Sequence, residues 1–387
     1  MMIKSSILLH TYTLLWCIYF LQGTIFSHYG GGLAQMILVL LLLFSIYCFL
    51  YVNINYNINS YLKALNYLIL MFTVYGVIRI INGKVIIFSD LIEVIPFYYL
   101  KNVYISLLPI YVYYLWAKIG VLNKNNLQIY LLLFLFLVSL SYIDNYMNAS
   151  KSAESEEITN NMGIRFMTLI PMLFFLEKRR LLQYAALVYI LTFVVMGMKR
   201  GAILLAVVLA IYFLYHSLKE ASQKEKLYLL LLSIVAIILI CMVVADLMDN
   251  SAYFNRRVQQ TLEGDSSGRD TIYSTLWLAF LENGSLFHCL LGFGAHSTIE
   301  FAGNFAHNDW LELLINNGLL GIVLYVGYWW RFASLKNIIE EENTRCATIA
   351  YCITFFMLSL YSMSYDAMDI FSTMGLGYCV ANADSEL

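Results

Sequence analysis

The stretch Gly292–Gly321, Gly-Phe-Gly-Ala-His-Ser-Thr-Ile-Glu-Phe-Ala-Gly-Asn-Phe-Ala-His-Asn-Asp-Trp-Leu-Glu-Leu-Leu-Ile-Asn-Asn-Gly-Leu-Leu-Gly, decides how this chain is read. Its first half is polar and glycine-rich and its second half apolar, so it marks a loop entering a membrane helix. His307 and Asn308 stand on the polar side of that border, Gly318 and Gly321 on the apolar side. His296, Asp309 and Glu312 flank the pair. Such residues are poor material for a lipid-facing helix, because ionisable groups at membrane depth are costly. They suit the wall of a site that binds something polar beside the bilayer.

The rest of the chain is built for lipid. Of 387 residues, 61% are hydrophobic and 12% charged, whereas soluble domains carry about 25% charged residues. Apolar runs near the ~20 residues that cross a bilayer recur at Ser6–Phe26, Leu33–Val52, Leu62–Ile81, Tyr98–Ile119, Leu127–Ile143 and Ile164–Leu176. They continue at Leu181–Met198, Ala202–Leu218, Leu227–Leu247, Leu313–Arg331, Ala347–Met363 and, more weakly, Met368–Ala383. The expected fold is all-α, a polytopic bundle of about twelve spans, with the sixth run shortened and holding Pro171. Spans one to nine would occupy residues 1–247, an external loop 248–311, and the closing spans 312–387. The first run lacks a small-residue cleavage site and reads as a retained span. A net charge of −2 leaves no footprint for nucleic acid. The 7 cysteines fall mostly within or beside apolar runs, which argues against a disulfide framework.

Lys and Arg bias orients the bundle. With the N-terminus inside, the inner loops receive Lys63, Lys118, Lys124, Lys178, Arg179, Arg180, Lys219, Lys224, Lys226, Arg331, Lys336 and Arg345. The outer side receives the acidic segment Asp144–Asn161 and the long loop Met248–Leu311. Arg79, Lys84, Lys151, Arg165, Lys199 and Arg200 fall outside against the bias. Within the loop, Ile272, Leu276 and Phe280 with Tyr273 and Trp277 form a helical stripe over Asp270–Leu281, with Ser267 as an N-cap signal. The expectation is a short amphipathic helix lying on the membrane surface.

Three places carry the candidate chemistry. Lys199-Arg200 closes the seventh span in a tight turn, Arg269 follows Ser-Gly before the loop helix, and His307 precedes Asn308. Read alone, each has a structural explanation: snorkelling to the interface, a solvated loop arginine, a hydrogen-bonding histidine. Together, His307-Asn308, nine residues and Gly318-Leu-Leu-Gly321 resemble the signature of the O-antigen polymerase/ligase superfamily, bacterial membrane glycosyltransferases. The likeness runs from Gly197 to Trp330. It implies catalytic roles for His307, Arg269 and Arg200, the last beside the small residue Gly201. Substrate-binding candidates are Asn308, Lys199, Arg256 and Arg257. It further implies an undecaprenyl-diphosphate-linked oligosaccharide as substrate, membrane lipids and a chain-length regulator as partners, and an inner-membrane location with the site facing the periplasm.

The chemistry fits that set. A sugar on a lipid diphosphate already has its leaving group, and no phosphate-binding glycine loop is present. Arginines stabilise the departing diphosphate through charge-assisted bonds. A histidine near its ordinary pKa of about 6.5 takes the acceptor's proton. No cofactor is expected, and no metal, because the loop histidines lack a paired ligand spacing and no Asp-x-Asp occurs. Asp309 and Glu312 receive no role, and Gly318 and Gly321 read as close-packing positions. A polymerase of lipid-linked repeat units is favoured, with the ligase that moves a finished chain to lipid A core as alternative and a flippase as the rival of another class. The orientation predicts that, in a chain with Cys289 replaced by serine, Ser267→Cys reacts with a membrane-impermeant thiol reagent in spheroplasts and Ser222→Cys does not. The reverse result inverts the topology.

Overall fold

The computed structural model describes residues 2–22, 31–83, 85–89, 92–151, 160–177, 179–250, 252–264, 268–365 and 370–385. Helices α1 (Met2–Gln22), α2 (Gly31–Asn55) and α3 (Ser60–Asn82) lead to strands β1 (Ile86–Ser89) and β2 (Ile92–Val94). Then follow α4 (Phe97–Leu107), α5 (Pro109–Lys118), α6 (Lys124–Lys151), α7 (Met162–Met167) and a 3₁₀ segment, Ile170–Leu176. Next come α8 (Arg180–Met196), α9 (Arg200–Glu220), α10 (Gln223–Asn250), α11 (Ala252–Leu262), α12 (Arg269–Asn283), α13 (Leu286–Leu291) and α14 (Ser297–Ala302). The chain closes with α15 (Asp309–Ser334), α16 (Glu342–Tyr361) and α17 (Ile370–Ser385).

Every apolar run is thus helical, but six helices among the described residues are long and apolar enough to cross a membrane. These do not confirm the expected twelve, and local sequence interrupts two of the runs. Proline breaks two runs: Pro109 separates α4 from α5, and Pro171 sits in the 3₁₀ segment. The weak last run is α17, whose side chains from Ile370 to Ala381 are buried in the bundle. A helix enclosed by protein tolerates Ser372, Thr373 and the glycines that lipid contact would discourage. A Cβ on Gly377 would come within 2.8 Å of the Ile110 carbonyl of α5.

The fold is all-helical as expected, with the addition of one short antiparallel hairpin, β1 to β2, with Ile86 opposite Val94. These two partners bury against Ile299 of α14, with Phe305 packed alongside. The loop stripe is confirmed as α12, but it does not only face outward. Leu276 packs with Ala306 and Ile315, surrounded by Ile272, Phe280, Phe293 and Phe301. The helix therefore props up the segment before His307, while Trp277, Leu278 and Leu281 stay exposed. Ser267 lies outside the described residues; the helix opens after Gly268, whose φ is 79°.

Gly318 interrupts α15 with φ 64° and ψ −161°. The break frees carbonyls that a continuous helix would use, and a buried carbonyl needs a partner. Phe293 N–H donates to Ile315 O at 2.8 Å and Gly294 N–H to Asn316 O at 3.0 Å. The approach is so close that a Cβ on Gly318 would lie 2.5 Å from Gly292 N, and one on Gly292 2.5 Å from Asn317 N. Both glycines have positive φ, 64° and 72°. Gly318→Ala should lose about 1–3 kcal/mol through backbone strain alone. Gly327→Ala, in the same helix with open space around it, should change stability by less than about 0.5 kcal/mol. Thermal unfolding of the two variants measures the contrast.

Candidate functional site

Two fully buried carboxylates set the site's backbone. Glu312 accepts from Thr298 Oγ1 at 2.5 Å, Ala306 N at 2.7 Å and Asn316 Nδ2 at 2.9 Å. Asp309 accepts from Tyr325 Oη at 2.6 Å, Ser364 N at 2.9 Å and Ser364 Oγ. Both lie in the first turn of α15, where the helix dipole favours negative charge. Glu312 thereby fixes the residue before His307, and Asp309 fixes the segment after α16. Asn308 is the N-cap: its Oδ1 accepts from Leu311 N at 3.0 Å and its Nδ2 donates to Leu360 O at 3.0 Å. Its side chain serves the helix start on one side and α16 on the other.

Backbone strain gathers at the same place. Among the described residues, Met198, His296 and His307 are the non-glycine positions with positive φ, at 53°, 64° and 52°. Such conformations cost about 1–3 kcal/mol and persist where surrounding contacts enforce them. The Met198 turn is held from α7: Asn160 N–H donates to Gly197 O at 3.1 Å, and Lys199 Nζ donates to Asn161 Oδ1 at 2.7 Å.

A cavity of about 460 Å³ lies among these turns. Lys101, Arg165, Lys199 and His307 line it with Asn102, Ser106 and Ser362, and no carboxylate is among its described lining residues. Trp16, Tyr19, Phe20, Tyr98 and Phe305 give it aromatic walls. Lys101 Nζ sits 4.5 Å from the centroid of the Tyr98 ring. A smaller cavity of about 170 Å³ adjoins it, sharing Arg165, Ser362 and Met363.

The cations act on one another. Burial, then Arg269 and Lys199, lower the pKa of His307 below its usual 6.5. Burial, then Arg269, lowers Lys199 to about 8. Arg269, first residue of α12, is therefore within electrostatic reach of both. Arg200 is different: it opens α9 and is not among the lining residues. Gly201 beside it is a packing position, since a Cβ there would lie 2.6 Å from the Tyr361 ring. Arg256, on α11, is exposed and does not line the cavity, and the side chain of Arg257 lies outside the described residues. Lys101 and Arg165 were passed over. The signal for Arg165 was present in its position against the positive-inside bias.

Arg79, another misplaced charge, is neutralised by Glu300 at 2.5 Å. This pair borders a second cavity of about 520 Å³ with Tyr75, Asn82, Phe287 and Gly292–Ala295. His296 packs behind the aromatic wall of the first cavity. Its ring faces Tyr98, Tyr99 and Phe305, and burial, then Arg79, brings its pKa to about 4. It is a neutral wall residue. His288 stacks on Phe293 at 4.3 Å and bonds to Ser285, a local structural role.

Residues 185–326 match a family model described as O-Antigen ligase, Wzy_C. The match supports the O-antigen polymerase/ligase superfamily. It runs from α8 into α15 and so contains Lys199, Arg200, Arg269, His307, Gly318 and Gly321. The superfamily assignment supports a role in polysaccharide biosynthesis, and the six long apolar helices mark a membrane protein. No curated protein and no solved structure matches the chain. Lys101 and Arg165 precede the matched segment and Ser362 and Ile370 follow it, so that segment and the parts flanking it build the cavity jointly. Glu312→Ala should strip three buried donors of their acceptor and lower stability by at least about 1–3 kcal/mol. The melting temperature checks this, with Glu282→Ala on the exposed side of α12 as the neutral control.

Proposed function

We propose that the protein transfers a glycan chain from a polyprenyl diphosphate to a sugar hydroxyl at the periplasmic face of the inner membrane, joining lipid-linked repeat units as a polymerase. Twelve crossings with both ends inside belong to this reading. The observation that carries it is the cavity with Lys101, Arg165, Lys199 and His307 on its wall and no carboxylate. With no carboxylate among its described lining residues to offset these cations, such a lining favours a multiply charged anion. A diphosphate linked to lipid and sugar has that charge, and the aromatic walls suit its apolar and pyranose parts.

In the transfer, neutral His307 takes the proton of the acceptor hydroxyl and the oxygen attacks the anomeric carbon. The bond from that carbon to the diphosphate oxygen breaks, and the electron pair leaves with the carrier. Lys199, Arg165 and Arg269 hold the charge that develops, and Lys101 closes the opposite side. In this reading Lys199 and Arg165 take the role that the family resemblance implies for Arg200. A lowered pKa suits His307, because it stays unprotonated and available as base down to mildly acidic pH. The second cavity, with the paired Arg79 and Glu300, offers room for sugar hydroxyls beside the first. The ligase reading keeps one specific support, the description of the matched family as O-Antigen ligase.

Purified protein with lipid-linked repeat units should yield a ladder of products. Transfer to lipid A core would favour the ligase, and neither product would overturn both. His307→Ala should lower the rate by about 10²–10⁴-fold with little change in donor binding. The pH profile of kcat/KM, which reports the free enzyme, should fall below pH 6.5 as His307 protonates and again above about 8 as Lys199 loses its charge. Lys199→Arg should move only the alkaline limb upward, since arginine stays charged. An unmoved limb would remove Lys199 from the site.

A further inference from the structure

The end of the bundle opposite the cavity holds a second cluster of reactive side chains. His216 lies on the order of 24 Å along α9 from Arg200, at about 1.5 Å per residue. His216 and Glu220 are four apart on α9, and Glu342 and Cys346 four apart on α16, so each pair shares a helix face. The two faces meet. His216 Nδ1 is 3.2 Å from Cys346 Sγ and 3.9 Å from Glu342 Oε1, and Cys346 Sγ is 3.9 Å from the same oxygen.

That triangle has the size of a metal site. With Zn–S about 2.3 Å and Zn–N and Zn–O about 2.0 Å, tetrahedral donors stand roughly 3.3–3.6 Å apart. The outer partners are also in place. His216 Nε2 faces Glu220 Oε2 at 3.6 Å, the carboxylate that orients a ligating imidazole. Arg345 holds Glu342 Oε2, leaving Oε1 toward the histidine and the thiol. Thiolate, imidazole and one carboxylate select zinc over magnesium or calcium.

We propose that His216 Nδ1, Cys346 Sγ and Glu342 Oε1 bind one zinc ion, with water in the fourth position and the thiol proton released to solvent. The ion ties α9 to α16 at the end remote from the cavity, while Gly201 against Tyr361 sets their spacing near it. The site thus steadies the two helices that carry Lys199 and lead into Ser362.

Cobalt(II) is the probe. Purified protein, stripped with chelator, should take up one Co²⁺ per chain, with thiolate-to-cobalt charge-transfer absorption and the visible bands of tetrahedral cobalt, both bleached by Zn²⁺. Cys346→Ser, close to isosteric, should abolish the charge-transfer absorption, and Cys289→Ser should leave it intact. Glu220→Gln should weaken binding by about 10–100-fold. The melting curve confirms that each variant is folded. No cobalt uptake, or a charge-transfer band that survives Cys346→Ser, overturns the proposal and leaves the contact as a thiol–imidazole hydrogen bond.

Discussion

The site depends on one buried carboxylate. Glu312 gathers a threonine hydroxyl from α14, a backbone N–H from the residue before His307 and an asparagine amide from its own helix. A carboxylate removed from water is costly unless such donors surround it. The three donors come from segments that share no regular ladder, so the carboxylate specifies how they fit together. With Ala306 fixed, His307 is held at φ 52°, a conformation that its own chain would not choose. Asp309 repeats the device one turn earlier and binds the Ser364 segment to the same helix start.

Around this frame the structure sets cations close to one another. Burial in the cavity first, and then the neighbouring like charges, oppose the charged forms, so Lys199 falls to about 8 and His307 below its usual range. An anion entering the cavity would relieve that repulsion. Burial and the same repulsion disfavour the protonated form of His307.

Membrane architecture explains why the cavity lies where it does. A broken helix is tolerated at such depth only where other backbone replaces the lost bonds. Gly318 breaks α15, and Phe293 and Gly294 supply the replacement N–H groups. The loop is thereby stitched to the span, and α12 packs Leu276 beneath it. The hairpin does the same for Phe305 through Ile299.

The sequence by itself determined the helical runs, the long loop with its helical stripe, and the border at His307-Asn308. Those are local properties: hydropathy, period and the chemistry of neighbouring residues. It also flagged Arg79, Arg165 and Lys199 as charges on the wrong side, without saying what held them. Tertiary structure decided their fates. Arg79 pairs with Glu300, 221 positions along the chain, whereas Arg165 and Lys199 face a shared cavity. Lys199 and Arg200 illustrate the limit. Neighbours in sequence at a helix start diverge by about 100°, so only the packing of α7, α9 and α16 determines which of them meets the cavity. Six long apolar helices stand against twelve apolar runs for the same reason, since an apolar run enclosed by protein and one facing lipid read alike in sequence.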